Sequence, residues 1–124
     1  MVKRILIIED EDSVRAVLVD ALHDAGYDVL EASNGKEGIN LYREAPTDLI
    51  ITDLIMPEKE GLGTIMELRR DSPHVKIIAM SGGGMSSGND YLRIAQKLGA
   101  KRTLSKPFDL EDFLHTVREV IEQP

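Results

Sequence analysis

The 124-residue chain has no cysteine and no tryptophan, and aromatic residues make up only 4% of it. Without cysteine there is no disulfide, no thiolate nucleophile and no cysteine-based zinc site. With so few rings, base-stacking platforms and flavin-stacking surfaces are scarce. His23, His74 and His115 stand far apart without metal-ligand spacing and read as surface or packing residues. Long apolar runs are missing too: the first, Ile5-Leu6-Ile7-Ile8, stops at Glu9-Asp10-Glu11-Asp12, too soon for a signal peptide or a membrane span. Excess positive charge is also absent. The net charge is −7, and an acidic surface repels nucleic acid and anionic membranes, so direct nucleic-acid and membrane binding are not expected. These absences together suit a cytoplasmic protein.

What the chain does contain is an apolar content of 42% against 30% charged residues, the balance of a globular domain. Its length fits one domain over residues 1–124. Apolar runs at Ile5 to Ile8, Leu49 to Ile51 and Val75 to Met80 read as buried strands, Asp28 to Ala32 as a weaker one and Arg102 to Ser105 as a short fifth. Between them lie helical patterns. Val14, Val17, Leu18, Ala21, Leu22 and Ala25 share one face, capped by Asp12 or Ser13 and ended by Gly26. Asn34 and Glu37 look like a capping pair for a helix reaching Glu44. Leu62, Ile65 and Met66 suggest a third helix, and Tyr91, Ile94, Ala95 and Leu98 a fourth, ended by Gly99. Asp109 caps a fifth carrying Leu110, Phe113, Leu114, Val117 and Ile121. Strand and helix alternating five times predicts an α/β fold: a three-layer, doubly wound, five-stranded parallel sheet of flavodoxin-like order 2-1-3-4-5.

In such sheets chemistry gathers beyond the carboxyl ends of the strands, at the switch point between strands 1 and 3. Glu9 and Asp10 end the first strand and Asp53 ends the third. Three carboxylates in one pocket repel one another, and a hard divalent cation such as magnesium offsets that repulsion. Ser81 ends the fourth strand with a hydroxyl, and Lys106 follows the fifth with an ammonium. A carboxylate nucleophile, a cation site, a hydroxyl donor and a lysine suit phosphoryl transfer to Asp53 with an aspartyl phosphate as product.

Ile5-Leu6-Ile7-Ile8-Glu9-Asp10-Glu11, Asp53-Leu54-Ile55-Met56-Pro57 with Gly61, Ser81, and Lys106-Pro107-Phe108 resemble, in this order and over nearly the whole chain, the receiver domain of two-component response regulators, of the single-domain chemotaxis-receiver type. The resemblance implies a phosphorelay signalling module. It makes Asp53 the phosphoacceptor and a sensor-kinase phosphohistidine the donor. It gives magnesium the ligands Glu9, Asp10, Asp53 and the backbone carbonyl of Ile55. It sets Ser81 and Lys106 against the phosphoryl group, makes the Lys106–Pro107 bond cis, and puts an effector protein on the face of the fourth helix, fifth strand and last helix. Three positions depart from the commonest pattern. Glu9 stands where aspartate is frequent, so its contact with the metal is expected through water. Thr103 replaces the usual aromatic, so a ring-rotation switch is not available there. Apolar Ile55 is expected to orient no attacking water and so to slow loss of the phosphoryl group. The segment Gly82 to Gly88 is expected to be a loop ordered by phosphorylation.

Two enzymatic alternatives and one inert one compete. The glycines from Gly83 to Gly88 have P-loop spacing, but Asn89-Asp90 follow where lysine and a hydroxyl are needed. A magnesium-dependent phosphohydrolase with an aspartate nucleophile commonly carries a second acid two residues on, and Ile55 occupies that place. A receiver-like scaffold that is never phosphorylated has no need of Asp53, Ser81 and Lys106 together. No output domain follows the last helix before Pro124, which leaves a stand-alone regulator and a piece of a longer one both open.

Overall fold

A computed structural model describes residues 2–54, 61–82 and 86–124, with the backbone alone for 86–91. Five strands and five helices alternate: β1 (Arg4–Ile8), α1 (Asp12–Asp24), β2 (Asp28–Ala32), α2 (Gly35–Glu44), β3 (Leu49–Asp53), α3 (Gly61–Asp71), β4 (Ile77–Gly82), α4 (Ser86–Lys97), β5 (Arg102–Lys106) and α5 (Leu110–Glu122). The strands form one parallel sheet in the order β2-β1-β3-β4-β5. This is the expected doubly wound topology.

Strand residues alternate between two cores, as the period of two in a pleated strand requires. Leu6, Ile8, Ile50, Ile77 and Ala79 pack with Ile39 and Tyr42 of α2, Ile65 and Leu68 of α3, and Leu92 and Ala95 of α4. Ile5, Ile7, Leu49, Ile51, Ile78 and Met80 pack with Leu18, Val19 and Leu22 of α1 and Phe113, Val117 and Val120 of α5. Burial on both sides explains why β1, β3 and β4 read as unbroken apolar runs.

The helix ends follow their sequence signals with one exception. Asn34 Oδ1 accepts from the Glu37 N–H at 2.8 Å, and Asp109 Oδ1 from the Asp112 N–H at 2.7 Å. Gly26 (φ 97°) and Gly99 (φ 115°) take the left-handed conformation that ends α1 and α4. The exception is α1. Its N-cap is Glu11, whose side chain makes no capping bond. Asp12 and Ser13, the two expected caps, both lie inside the helix, and Asp12 is drawn to Arg15 at 2.6 Å. Four apolar residues also lie off the faces expected for them. Val17 and Met66 are 52% and 58% exposed, because α1 centres its buried stripe on Leu18, Val19 and Leu22 and α3 centres its own on Ile65 and Leu68; Ile94 and Leu110 are 44% and 42% exposed. Helix α4 starts at Ser86, so the glycine-rich loop is shorter than its composition suggests. Ile55 to Pro57 and residues 83–85 lie outside the described residues, and with them the Ile55 carbonyl and the middle of the segment expected to switch.

Candidate functional site

Parallel strands bring all their carboxyl ends to one edge, and the register sets which residues meet there. Ile8 pairs with Thr52, so Glu9-Asp10 and Asp53 emerge side by side at the switch point. The Glu9 N–H extends the ladder to the Ala32 carbonyl at 3.0 Å, and the Leu54 N–H does the same to the Met80 carbonyl at 2.9 Å. Asp53 pairs with Met80, Ser81 with Ser105 and Gly82 with Lys106. The four expected strand ends therefore share one rim.

Glu9, Asp10 and Asp53 each present a carboxylate oxygen within 4.8 Å of the other two. Glu9 and Asp53 are buried and Asp10 is partly exposed. Glu9 turns into this cluster: its Oε1 meets Lys106 Nζ at 2.5 Å, and its Oε2 accepts from the Glu11 N–H at 3.1 Å. Asp53 Oδ1 accepts from its neighbour Leu54 N–H at 2.9 Å, and Oδ2 lies 3.4 Å from Lys106 Nζ. Lys106 thus spans the acids of both strands. The Lys106–Pro107 peptide is cis.

The electrostatics follow from three acids around one ammonium. Burial pushes the Glu9 carboxyl above its ordinary value of 4.5, and the charge of Asp53 adds to this against the pull of Lys106. For Lys106, burial acts downward, but the hydrogen bond to Glu9 and the charges of Asp53 and Glu9 outweigh it and hold the ammonium above its ordinary 10.5. Both directions state one fact: the cluster holds positive charge more tightly than its separated members would. One ammonium does not balance three carboxylates, and the donor atoms at the rim are all oxygen. That set suits a hard cation of the magnesium type.

The Ser81 hydroxyl is fully buried and has no hydrogen-bond partner among the described residues. A buried unpaired hydroxyl destabilises by about 1–3 kcal/mol, and its position at the rim makes it available to an oxygen arriving there. Thr103 lies half-buried on β5, opposite Ala79.

Gly61, already part of the motif that carries the resemblance, and Arg15, which no motif announced, also support the rim. Gly61 opens α3 so close to β3 that a Cβ there would lie 2.4 Å from the Asp53 carbonyl oxygen and 2.5 Å from Leu54 Cα, and its N–H donates to the Leu54 carbonyl at 3.0 Å. Arg15 reaches the end of β1 from α1, donating to the Glu9 carbonyl at 2.7 Å. The three histidines are exposed, and none of them belongs to the acid cluster.

Comparison with known proteins places this geometry in a family. Residues 5–118 match the family model described as "Response regulator receiver domain". The chain is similar to the chemotaxis protein CheY of Thermotoga maritima, at 36% identity over 97% of this chain and 98% of the relative. It is equally similar, at 36% identity over 96% of its length, to the sensor kinase CckA of Brucella abortus, but spans only 12% of that longer protein. Among solved structures, a response regulator receiver domain protein from Clostridium thermocellum superposes with a TM-score of 0.89 at 30% identity, covering 97% of this chain and 94% of the other. Among the described residues no helix is long and apolar enough to cross a membrane.

Proposed function

The chain belongs to the response regulator receiver domain family, a family of phosphoacceptor signalling modules, and from that premise we propose that Asp53 accepts the phosphoryl group. One observation carries the proposal. Carboxylates from two strand ends converge within 4.8 Å, where parallel sheets gather their chemistry, and Lys106 bridges them.

Glu9, Asp10, Asp53 and the Ile55 backbone carbonyl would hold magnesium, Glu9 through water. Magnesium supplies there the positive charge that offsets the carboxylates and the phosphoryl oxygens. An Asp53 carboxylate oxygen attacks phosphorus of a sensor-kinase phosphohistidine. The P–N bond breaks, its electron pair returns to the donor imidazole, and an acyl phosphate forms on Asp53. Lys106 moves from Glu9 toward the new phosphoryl oxygens, and Ser81 gives its unused hydrogen bond to one of them. We read the chain as catalysing only its own phosphorylation and dephosphorylation.

The movement of Ser81 and Lys106 alters the ends of β4 and β5 and, through them, the face of α4, β5 and α5. We assign to this face the downstream effector protein. With Thr103 in place of a rotating ring, the signal passes through the backbone at Ser81 and Gly82. The net charge of −7 supports a protein partner rather than nucleic acid, and the absence of cysteine is in keeping with a cytoplasmic single receiver domain over residues 1–124.

Incubation with acetyl phosphate and magnesium, followed by intact-mass spectrometry, tests the proposal. The wild-type chain gains one phosphoryl group, and the Asp53→Ala chain or a sample in EDTA gains none. Equal phosphorylation of wild type and Asp53→Ala refutes it.

A further inference from the structure

Arg15 touches three separate parts of the chain. Its Nη1 donates to the Glu9 carbonyl oxygen at 2.7 Å, Nη2 to Asp12 Oδ1 at 2.6 Å and Nε to Glu31 Oε1 at 3.2 Å. The side chain is only 16% exposed. Asp12 and Glu31 are surface partners whose charge pairing contributes little. The first bond is different in kind, because its acceptor is a carbonyl at the end of β1.

That carbonyl belongs to the peptide unit between Glu9 and Asp10. A peptide unit is planar, so holding its oxygen holds both flanking Cα atoms, here those of two acids of the cluster. The Glu9 N–H is pinned from the other side by the Ala32 carbonyl at 3.0 Å. Helix α1 follows at once, and its N-cap Glu11 makes no side-chain capping bond. The guanidinium takes over that anchoring, tying the strand end, the first turn of α1 and β2 with one rigid fork.

We infer that Arg15 is a positioning residue for the acidic pair: through the Glu9 carbonyl it sets the directions of the Glu9 and Asp10 carboxylates and thereby the cation affinity of the rim. The inference rests on reading the acid cluster as a cation site. Two plainer roles make different predictions. If Arg15 only stabilises the fold, its loss lowers stability and leaves cation affinity alone. If it acts only by charge, its loss removes a positive group near the site and tightens cation binding. Positioning requires the opposite sign, weaker binding despite the lost repulsion.

Magnesium titration by calorimetry on the full chain, with thermal unfolding in EDTA alongside, separates the three. Arg15→Met keeps the apolar stem and is expected to raise the magnesium dissociation constant about tenfold, the scale of lost support behind metal ligands. Arg15→Lys keeps the charge and loses the fork, and is expected to raise it about threefold; it carries the test if Arg15→Met does not fold. Asn34→Ala removes the α2 cap, lowers stability and leaves the dissociation constant unchanged. Arg15 variants binding magnesium as tightly as wild type, or more tightly, overturn the inference. A wild-type chain that binds no magnesium overturns the cation-site reading itself, and the inference with it.

Discussion

The contact between Gly61 and the end of β3 allows a substitution effect to be worked from distances. In Gly61→Ala the new methyl would lie 2.4 Å from the Asp53 carbonyl oxygen, 2.5 Å from Leu54 Cα and 3.0 Å from Leu54 Cδ2. Carbon atoms are comfortable at about 3.5–4.0 Å. Two of the three neighbours are backbone, so no rotamer change relieves the clash, and the start of α3 must part from β3 by about 1 Å. Overpacking of this kind destabilises by about 1–3 kcal/mol. Stretching the 3.0 Å bond from the Gly61 N–H to the Leu54 carbonyl adds about 1 kcal/mol. The expected loss is about 2–4 kcal/mol. For a chain of 124 residues, that lowers Tm by about 8–16 °C. The strand end that moves carries Asp53, so phosphorylation by acetyl phosphate should slow by up to about a hundredfold, the scale of a 1 Å misplacement. Gly82→Ala is the comparison: a Cβ there meets nothing within 4 Å among the described residues, and its Tm should stay near that of wild type. Thermal unfolding by circular dichroism and the phosphorylation rate read both effects. A Gly61→Ala chain within about 2 °C of wild type, phosphorylated at the wild-type rate, would refute the reasoning.

Other expectations concern the acid cluster. Magnesium at ten times its dissociation constant should add about 1.4 kcal/mol of stability, seen as a rise of about 5 °C in Tm; Asp10→Asn should lose most of that increment, and an undiminished one would contradict the cation site. Lys106→Met removes the ammonium that spans Glu9 and Asp53, so stability in EDTA should fall by about 1.5–3 kcal/mol. In the same variant the magnesium dissociation constant should fall, because a competing cation is gone; weaker binding would count against competition between Lys106 and the metal. The pH dependence has a definite sign. Burial raises the Glu9 pKa above 4.5 in the folded state, so between 4.5 and the raised value the native chain holds more protons than the unfolded one, and stability falls as pH rises. Metal-free wild type should therefore lose stability relative to Glu9→Gln as pH climbs through that window, read from urea midpoints; a relative gain would reverse the assignment. For Lys106 the raised pKa means its contribution is complete below 10.5 and is lost only above the folded value.

Much of this arrangement was legible in the residues themselves. Apolar runs that stop at a carboxylate or a serine mark β1, β3 and β4, a lysine ends the short β5, and a parallel sheet brings such ends to one edge whatever the details of packing. Caps such as Asn34 and Asp109 are local devices and were equally readable. What was not legible depends on contacts between distant segments or with backbone. Asp12 looks like a cap for α1 but pairs with Arg15, and no periodicity announces that Arg15 seeks the Glu9 carbonyl. Val17 fits the apolar spacing of α1, yet the way the helix rests on the sheet leaves it 52% exposed. Gly82 to Gly88 suggested a longer loop because propensity disfavours a helix at Gly88, yet α4 begins at Ser86. The reach of Gly61 to Asp53 is a distance, which only the folded chain possesses.

The most direct test of the central claim is to trap the acyl phosphate. After acetyl phosphate and magnesium, borohydride reduces an aspartyl phosphate to homoserine, and peptide mass mapping locates it. Homoserine at position 53, and at no other aspartate, is the predicted result. Homoserine at Asp10 or elsewhere with Asp53 intact, or none in a chain that has gained a phosphoryl group, would contradict the account.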